Sequence, residues 1–251
     1  MVYNNIIVES VIKMDKLRKY LLYQLLFIFM LTPGAYASDD DPLEPMNRAI
    51  FEFNEVVDDN VLKPIAKGYK YITPDPVEAG ISNFFSNLGE IGTITNDLLQ
   101  LKFAQAGRDT MRFILNSTLG IFGVFDVATP MGLSKNKEDF GQTLGFWGVP
   151  DGPYLVLPFL GPSSFRDGPS MVLDYEISPV EQLHHEERQV LQTLDIVDTR
   201  ARLLRATKIL DTAAKDKYIF IRESYLQKRE SLVNDGNVKE EFEIDVHSVD
   251  Y

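Results

Sequence analysis

Among its 251 residues the sequence has no cysteine. Disulfides, thiolate metal sites, thiol nucleophiles and thioether-linked lipid are therefore excluded together. Histidine is nearly as scarce, with three residues, of which His184 and His185 stand side by side in HHEER. Adjacent residues do not share a helix face, so this pair has neither zinc-protease spacing nor the spacing of a two-imidazole site. A nucleophile elbow is missing as well. Its nearest approach, Gly80-Ile81-Ser82-Asn83-Phe84, lacks the final glycine. These absences describe a non-enzymatic protein that uses no cofactor and no metal. Positive charge is also in short supply: 37 acidic against 25 basic side chains give a net charge of −12. That balance argues against nucleic acid as a partner and against attraction to an anionic membrane, so any membrane association has to be apolar. Convincing alternating strands, internal repeats and a linker between two cores are absent too. A mostly helical single domain remains.

What is present begins with an export signal. Lys16, Arg18 and Lys19 precede the apolar LLYQLLFIFML (residues 21–31), and Ala35-Tyr36-Ala37 supplies a small-x-small cleavage site before Ser38. Met14 is the more natural start, because the residues ahead of it add acid and polarity. The apolar stretch is shorter than the roughly 20 residues a spanning helix needs, which favours cleavage over anchoring. Losing residues 1–37 removes four basic and two acidic side chains and leaves the exported chain more acidic still. The domain is expected over residues 38–236, with an acidic, frayed tail over 237–251.

Along the domain, Pro45 suits a first helical turn, and Met46, Ala49, Ile50, Phe53, Val57 and Val61 make one apolar stripe that Pro64 is expected to end. A second helix follows the connector at 73–76, with Gly80, Gly89 and Gly92 in its interior, where glycine usually marks close approach of another backbone or a break. FILNSTLGIFGVFDVA (residues 113–128) is the least polar segment. It is too short to span a bilayer, and reads either as a buried core helix or as a bent, re-entrant path. Within it Asp126 either caps a following turn or faces a polar lumen. From Ser178 two long amphipathic helices follow, with a plausible capping box at Ser178-Pro179-Val180-Glu181 and a stop at Asn234-Asp235-Gly236. Between these regions lies GPYLVLPFLGPSSFRDG (residues 152–168), an apolar strip whose three prolines read as loop chemistry. Asp151, Arg166 and Asp167 flank it as turn formers and caps.

Several long blocks in order resemble the MlaA/VacJ family of outer-membrane proteins: DPLEPMNRAIFEFN (41–54), ISNFFSNL (81–88), RFILNSTLGIFGVFDVA (112–128), FGQTLGFWGVPDGPYLVLPFLGPSSFRDG (140–168), DTRARLL (198–204) and DKYIFIRESYLQKR (216–229). The resemblance implies an all-α, ring-like protein in the periplasmic leaflet of the outer membrane, with a central amphipathic channel. Its implied partners are phospholipid, an outer-membrane porin trimer and a soluble periplasmic lipid carrier; its implied task is to remove misplaced phospholipid from the outer leaflet. Family members are usually lipoproteins, whereas this sequence reads Ala35-Tyr36-Ala37-Ser38 where the lipidated cysteine belongs. Attachment is therefore expected to rest on apolar surface or on a porin. The stretches expected to meet lipid supply Phe122, Phe125, Asp126, Phe146, Trp147, Tyr154, Leu155, Leu157 and Phe159 as candidates for the lipid path. Two other readings stand beside transport: an envelope scaffold without a lipid path, affecting surface properties or host spread, and a phospholipid hydrolase, which the missing nucleophile and metal patterns disfavour.

Overall fold

The structure, a computed structural model, describes residues 41–237. The expected signal segment with its Ala37–Ser38 cleavage point, and the acidic tail beyond residue 237, lie outside the described residues. Helix α1 (Glu44–Val57) carries Pro45 in its first turn, where a missing N–H is not needed. It does not end at Pro64. The chain widens into a π turn (Asp58–Leu62) and continues as α2 (Lys63–Ile72), with Pro64 in the first turn of the new helix. A proline crowds the carbonyl four residues earlier, and the wider turn relieves that clash. Helices α3 (Asp75–Leu99) and α4 (Phe103–Thr118) form an antiparallel hairpin. The short α5 (Phe140–Phe146) is capped by Asp139, whose carboxylate accepts from the Gln142 amide at 2.9 Å.

The apolar strip is a β-hairpin, not the irregular loop its prolines suggest: β1 (Tyr154–Leu157) pairs antiparallel with β2 (Gly161–Ser164). Pro158 falls in the turn. Pro162 sits opposite Val156, whose N–H points away from β2 toward Asn47 Oδ1 at 2.9 Å, so no ladder donor is missed at that pair. The open edge of β1 is closed by two asparagines of α1 that stand two turns apart. Asn47 Nδ2 donates to the Tyr154 carbonyl at 3.0 Å, while Asn54 donates to the Leu157 carbonyl at 3.0 Å and accepts from the Phe159 amide at 2.8 Å. Side-chain amides thus stand in for a third strand.

Helix α6 (Asp167–Ile177) leads through a 3₁₀ turn (Pro179–Gln182) into α7 (His185–Ala213) and α8 (Lys217–Val233). The capping box at Ser178 does not form: its side chain makes no cap bond, and Glu181 pairs with Arg188 at 3.1 Å instead. Gly236, at φ +81°, follows the end of α8 as a helix stop requires. The packing contacts close into a circuit. From α1 the π turn leads to α2, α2 lies on α7, α7 on α3, α3 on α5, α5 on α8, α8 on β2, and β1 returns to α1. The architecture is therefore a mostly helical ring, with one hairpin completing it.

Candidate functional site

Many buried positions of the ring are polar, and many of its large apolar side chains are exposed. On α3, Asn87, Glu90, Thr93 and Asp97 recur at three- and four-residue intervals and are all buried, whereas Val77, Leu98 and Leu99 of the same helix are exposed. On α1, Asn47 is fully buried, while Met46 and Phe53 of the apolar stripe, and Val61 of the same stripe in the π turn, are exposed. In an ordinary soluble domain these preferences run the other way. Among the described residues no helix is long and apolar enough to cross a membrane.

Buried polar groups have to be paired, and here they are paired across elements. Arg112 of α4 reaches Glu90 of α3 at 3.2 Å, the Thr129 hydroxyl at 3.0 Å and the Leu133 carbonyl, tying the segment after α4 to the helix hairpin. Burial pushes the Glu90 carboxyl up even with Arg112 beside it. Arg229 of α8 joins Asp139 at 2.6 and 2.8 Å to Asp167 of α6 at 2.9 Å, and Tyr225 donates to the same Asp167 at 2.6 Å. Burial works against the Arg229 charge, but these two carboxylates outweigh it and hold its pKa above the ordinary arginine value. Asp151 and Asp167, expected as simple turn formers, are the two ion-pair partners of the buried Arg166.

A cavity of about 390 Å³ opens between α3, α6 and α8. Arg229, Tyr225 and Asp167 form one side; Met171 and Asp174 of α6 form another; Lys137 and Glu138, ahead of α5, border it as well. The α3 side consists of Leu88, Gly89 and Gly92. A Cβ at either glycine would meet nothing within 4 Å, so these glycines face open space rather than a close backbone neighbour. Gly80 makes a close approach, but to a side chain: its would-be Cβ lies 3.0 Å from Val124 Cγ1 and 3.7 Å from the Val124 carbonyl oxygen. Asp174 accepts from the Phe140 amide at 2.9 and 3.1 Å and from Asn96 at 3.3 Å, and burial pushes its carboxyl up to about 6.

None of the nine residues singled out from sequence lines this cavity. Phe122 and Phe125 are exposed beyond the end of α4, where Ile121, Phe122 and Gly123 take consecutive positive φ values. A side chain at Gly123 would collide with Asn87, which leaves glycine as the residue for that close, left-handed position. Residues 113–128 are therefore the end of α4, through Thr118, followed by a partly exposed turn, not a buried core helix. Asp126 caps the turn beneath: it accepts from the Thr129 amide at 3.1 Å and from Asn116 at 3.2 Å, and lies 3.6 Å from Arg112. Phe146 and Trp147 are exposed and meet edge to face at 5.7 Å, with the Trp147 indole N–H donating to the Leu99 carbonyl at 3.1 Å. Phe159, at the hairpin tip, is 71% exposed and packs on Phe53 at 5.3 Å. Leu155 and Leu157 point to the outer side of the hairpin, half-buried. Tyr154 points inward and is only 5% exposed, packed among Tyr218 and Tyr225.

The cavity residues Arg229, Asp174 and Lys137 escaped sequence reasoning. The polar periodicity of α3, where Asn87, Glu90 and Asp97 share a face, signals the buried polar contacts with α4 but not the cavity, whose α3 wall is Leu88, Gly89 and Gly92. Fold and site together define a mostly helical ring with many apolar side chains exposed and a cavity lined by both apolar and charged groups. The chain belongs to the MlaA lipoprotein family, whose model matches residues 39–232. It is 36% identical to the intermembrane phospholipid transport system lipoprotein MlaA of Escherichia coli, over 79% of this chain and 80% of that one. The protein of the same name from Haemophilus influenzae is 32% identical over 88% of this chain and 93% of its own. A chain solved in work on the structural basis for maintenance of bacterial outer membrane lipid asymmetry superposes with a TM-score of 0.69 at 34% identity, covering 78% of this chain and all 100% of that one.

Proposed function

We propose that this ring is a non-enzymatic conduit that takes misplaced phospholipid from the outer leaflet of the outer membrane and passes it toward the periplasm. The observation that carries the reading is the cavity between α3, α6 and α8, whose lining combines apolar Leu88 and Met171 with charged side chains inside an apolar shell. A phospholipid needs both kinds of wall, one for its chains and one for its head. The transport role of the named relatives supports the same reading. A porin trimer and a soluble periplasmic carrier are the partners that such a path calls for. Because the sequence contains no cysteine, the exposed Phe122, Phe125, Phe146, Trp147 and Phe159 are the proposed means of holding the ring in the leaflet.

Gly89 and Gly92 provide the test. Replacing Gly92 by leucine fills open space and removes a mid-helix glycine that costs about 1 kcal/mol relative to alanine, so the fold is expected to hold. Outer-leaflet phospholipid, measured in cells that carry Gly92→Leu as their only copy, is expected to rise to the level of cells lacking the protein. Unchanged asymmetry with the cavity filled would favour an envelope scaffold instead. Recovery of lysolipid or free fatty acid from the purified parent would point to hydrolysis.

A further inference from the structure

The charged side chains around the cavity divide into those already satisfied by the protein and those that are not. Arg229 is held by Asp139 and Asp167, and Glu138 is met by Lys102 at 3.1 Å and by the Gln100 amide at 2.9 Å. Asp174 differs. Its bonds come from one backbone amide and one side-chain amide, and among the described residues no cationic side chain lies within ion-pair distance of it. A carboxylate offers about four acceptor positions, so these contacts leave capacity for another donor. Lys137 is exposed at the same cavity and likewise has no acidic side chain within ion-pair distance among the described residues. One unpaired negative and one unpaired positive group therefore border a single cavity whose remaining surface includes Leu88, Met171 and two bare glycine positions.

We propose that this cavity selects the head of a phospholipid that carries a primary ammonium, with Asp174 accepting from the ammonium and Lys137 meeting the phosphate. The proposal rests on reading the cavity as the lipid path. Charge complementarity favours a zwitterionic head here, because a head with a phosphate and no cation could still meet Lys137 but would set its negative charge near Asp174 with no ammonium to offset it. A quaternary ammonium keeps the charge but has no N–H to donate, so it should rank between the two. The raised Asp174 carboxyl fits this arrangement, since an ammonium placed alongside would reverse the effect of burial.

The test uses the purified full chain in detergent, incubated with vesicles of equal parts phosphatidylethanolamine, phosphatidylcholine and phosphatidylglycerol, then re-isolated for lipid quantification by mass spectrometry. The parent is expected to retain phosphatidylethanolamine over phosphatidylglycerol by about tenfold, the scale of one charge-assisted hydrogen bond, with phosphatidylcholine between. Asp174→Asn should bring that ratio close to one while total lipid stays near the parent level. Lys137→Gln, on an exposed segment, should lower all three lipids alike. An unbiased ratio in the folded parent needs no variant to interpret and overturns the headgroup assignment alone; retention of no lipid by any form overturns the conduit as well. Glycerophosphoethanolamine, the same head without acyl chains, separates a lipid site from one for a soluble solute. Binding as tight as that of the lipid would overturn the lipid assignment.

Discussion

Asp97 of α3 and Asp109 of α4 are both fully buried, and the Asn136 amide donates to each at 3.4 Å. Two facing carboxylates in one buried site cannot both ionise readily. Burial first, and then the hydrogen bond with Asp109, pushes Asp97 up to about 8; the nearby Glu138 adds to the effect and Lys102 opposes it. An unfolded aspartate has released its proton above about pH 4, whereas the folded protein keeps one at this pair until about pH 8, so stability falls as pH rises through that window. Asp174, raised to about 6, contributes the same slope over the lower part of it. Asp97→Asn keeps a donor toward Asp109 and removes the titration. Melting curves are expected to coincide near pH 5 and to separate by pH 8, the variant melting higher by about 5 °C. Parallel profiles for parent and variant across pH 6–8 would show that Asp97 is already ionised in the folded chain.

At the scale of elements, the hairpin shows what sequence could and could not carry. Its residues alternate as a strand should, with Tyr154 and Val156 inward and Leu155 and Leu157 outward, but three prolines made the pattern look irregular. What rescues the strand is remote: Asn47 and Asn54 lie more than a hundred residues away in sequence, and only the folded ring brings their amides to the β1 edge. The helices were legible because 3.6-residue periodicity survives when the apolar face points outward instead of inward; what periodicity alone could not give is which face is inside. The same ambiguity hid the cavity, since Gly89 and Gly92 look alike in sequence whether they admit a neighbour or line a space. The clamp itself yields an ordered prediction. Asn47→Ala strips two partners from fully buried backbone groups and should cost about 2–4 kcal/mol, while Asn54→Ala, beside an exposed tip, should cost about 1 kcal/mol. Urea denaturation ranks the two, and faster hydrogen exchange at the Val156 amide, confined to the Asn47 variant, identifies the edge as the cause. Equal losses in both would place the cost elsewhere in α1.

For the whole molecule the question is how an acidic ring is held at a membrane. The apolar patches lie at both ends of the α3–α4 hairpin: Phe122 and Phe125 belong to the turn whose Gly123 abuts Asn87, while Trp147 is bonded to the Leu99 carbonyl. Along a helix, Asn87 and Leu99 are separated by about 18 Å at 1.5 Å per residue. That exceeds the roughly 15 Å depth of one hydrocarbon leaflet, so a ring that seats both patches in the same leaflet tilts this hairpin by about 34° or more from the membrane normal. Holding by apolar area makes two measurable demands. Phe122→Asp combined with Phe125→Asp leaves the interior untouched, because both rings are exposed, yet withdraws about 2 kcal/mol of burial per ring. Flotation with vesicles should then weaken by on the order of a hundredfold or more, with an unchanged melting temperature. The second demand comes from the net charge of −12: binding by the parent should neither rise with anionic lipid nor fall as salt is added, because no electrostatic attraction is there to be screened. Flotation that collapses in high salt would mean that a local basic patch, and not the aromatic rim, holds the ring in place.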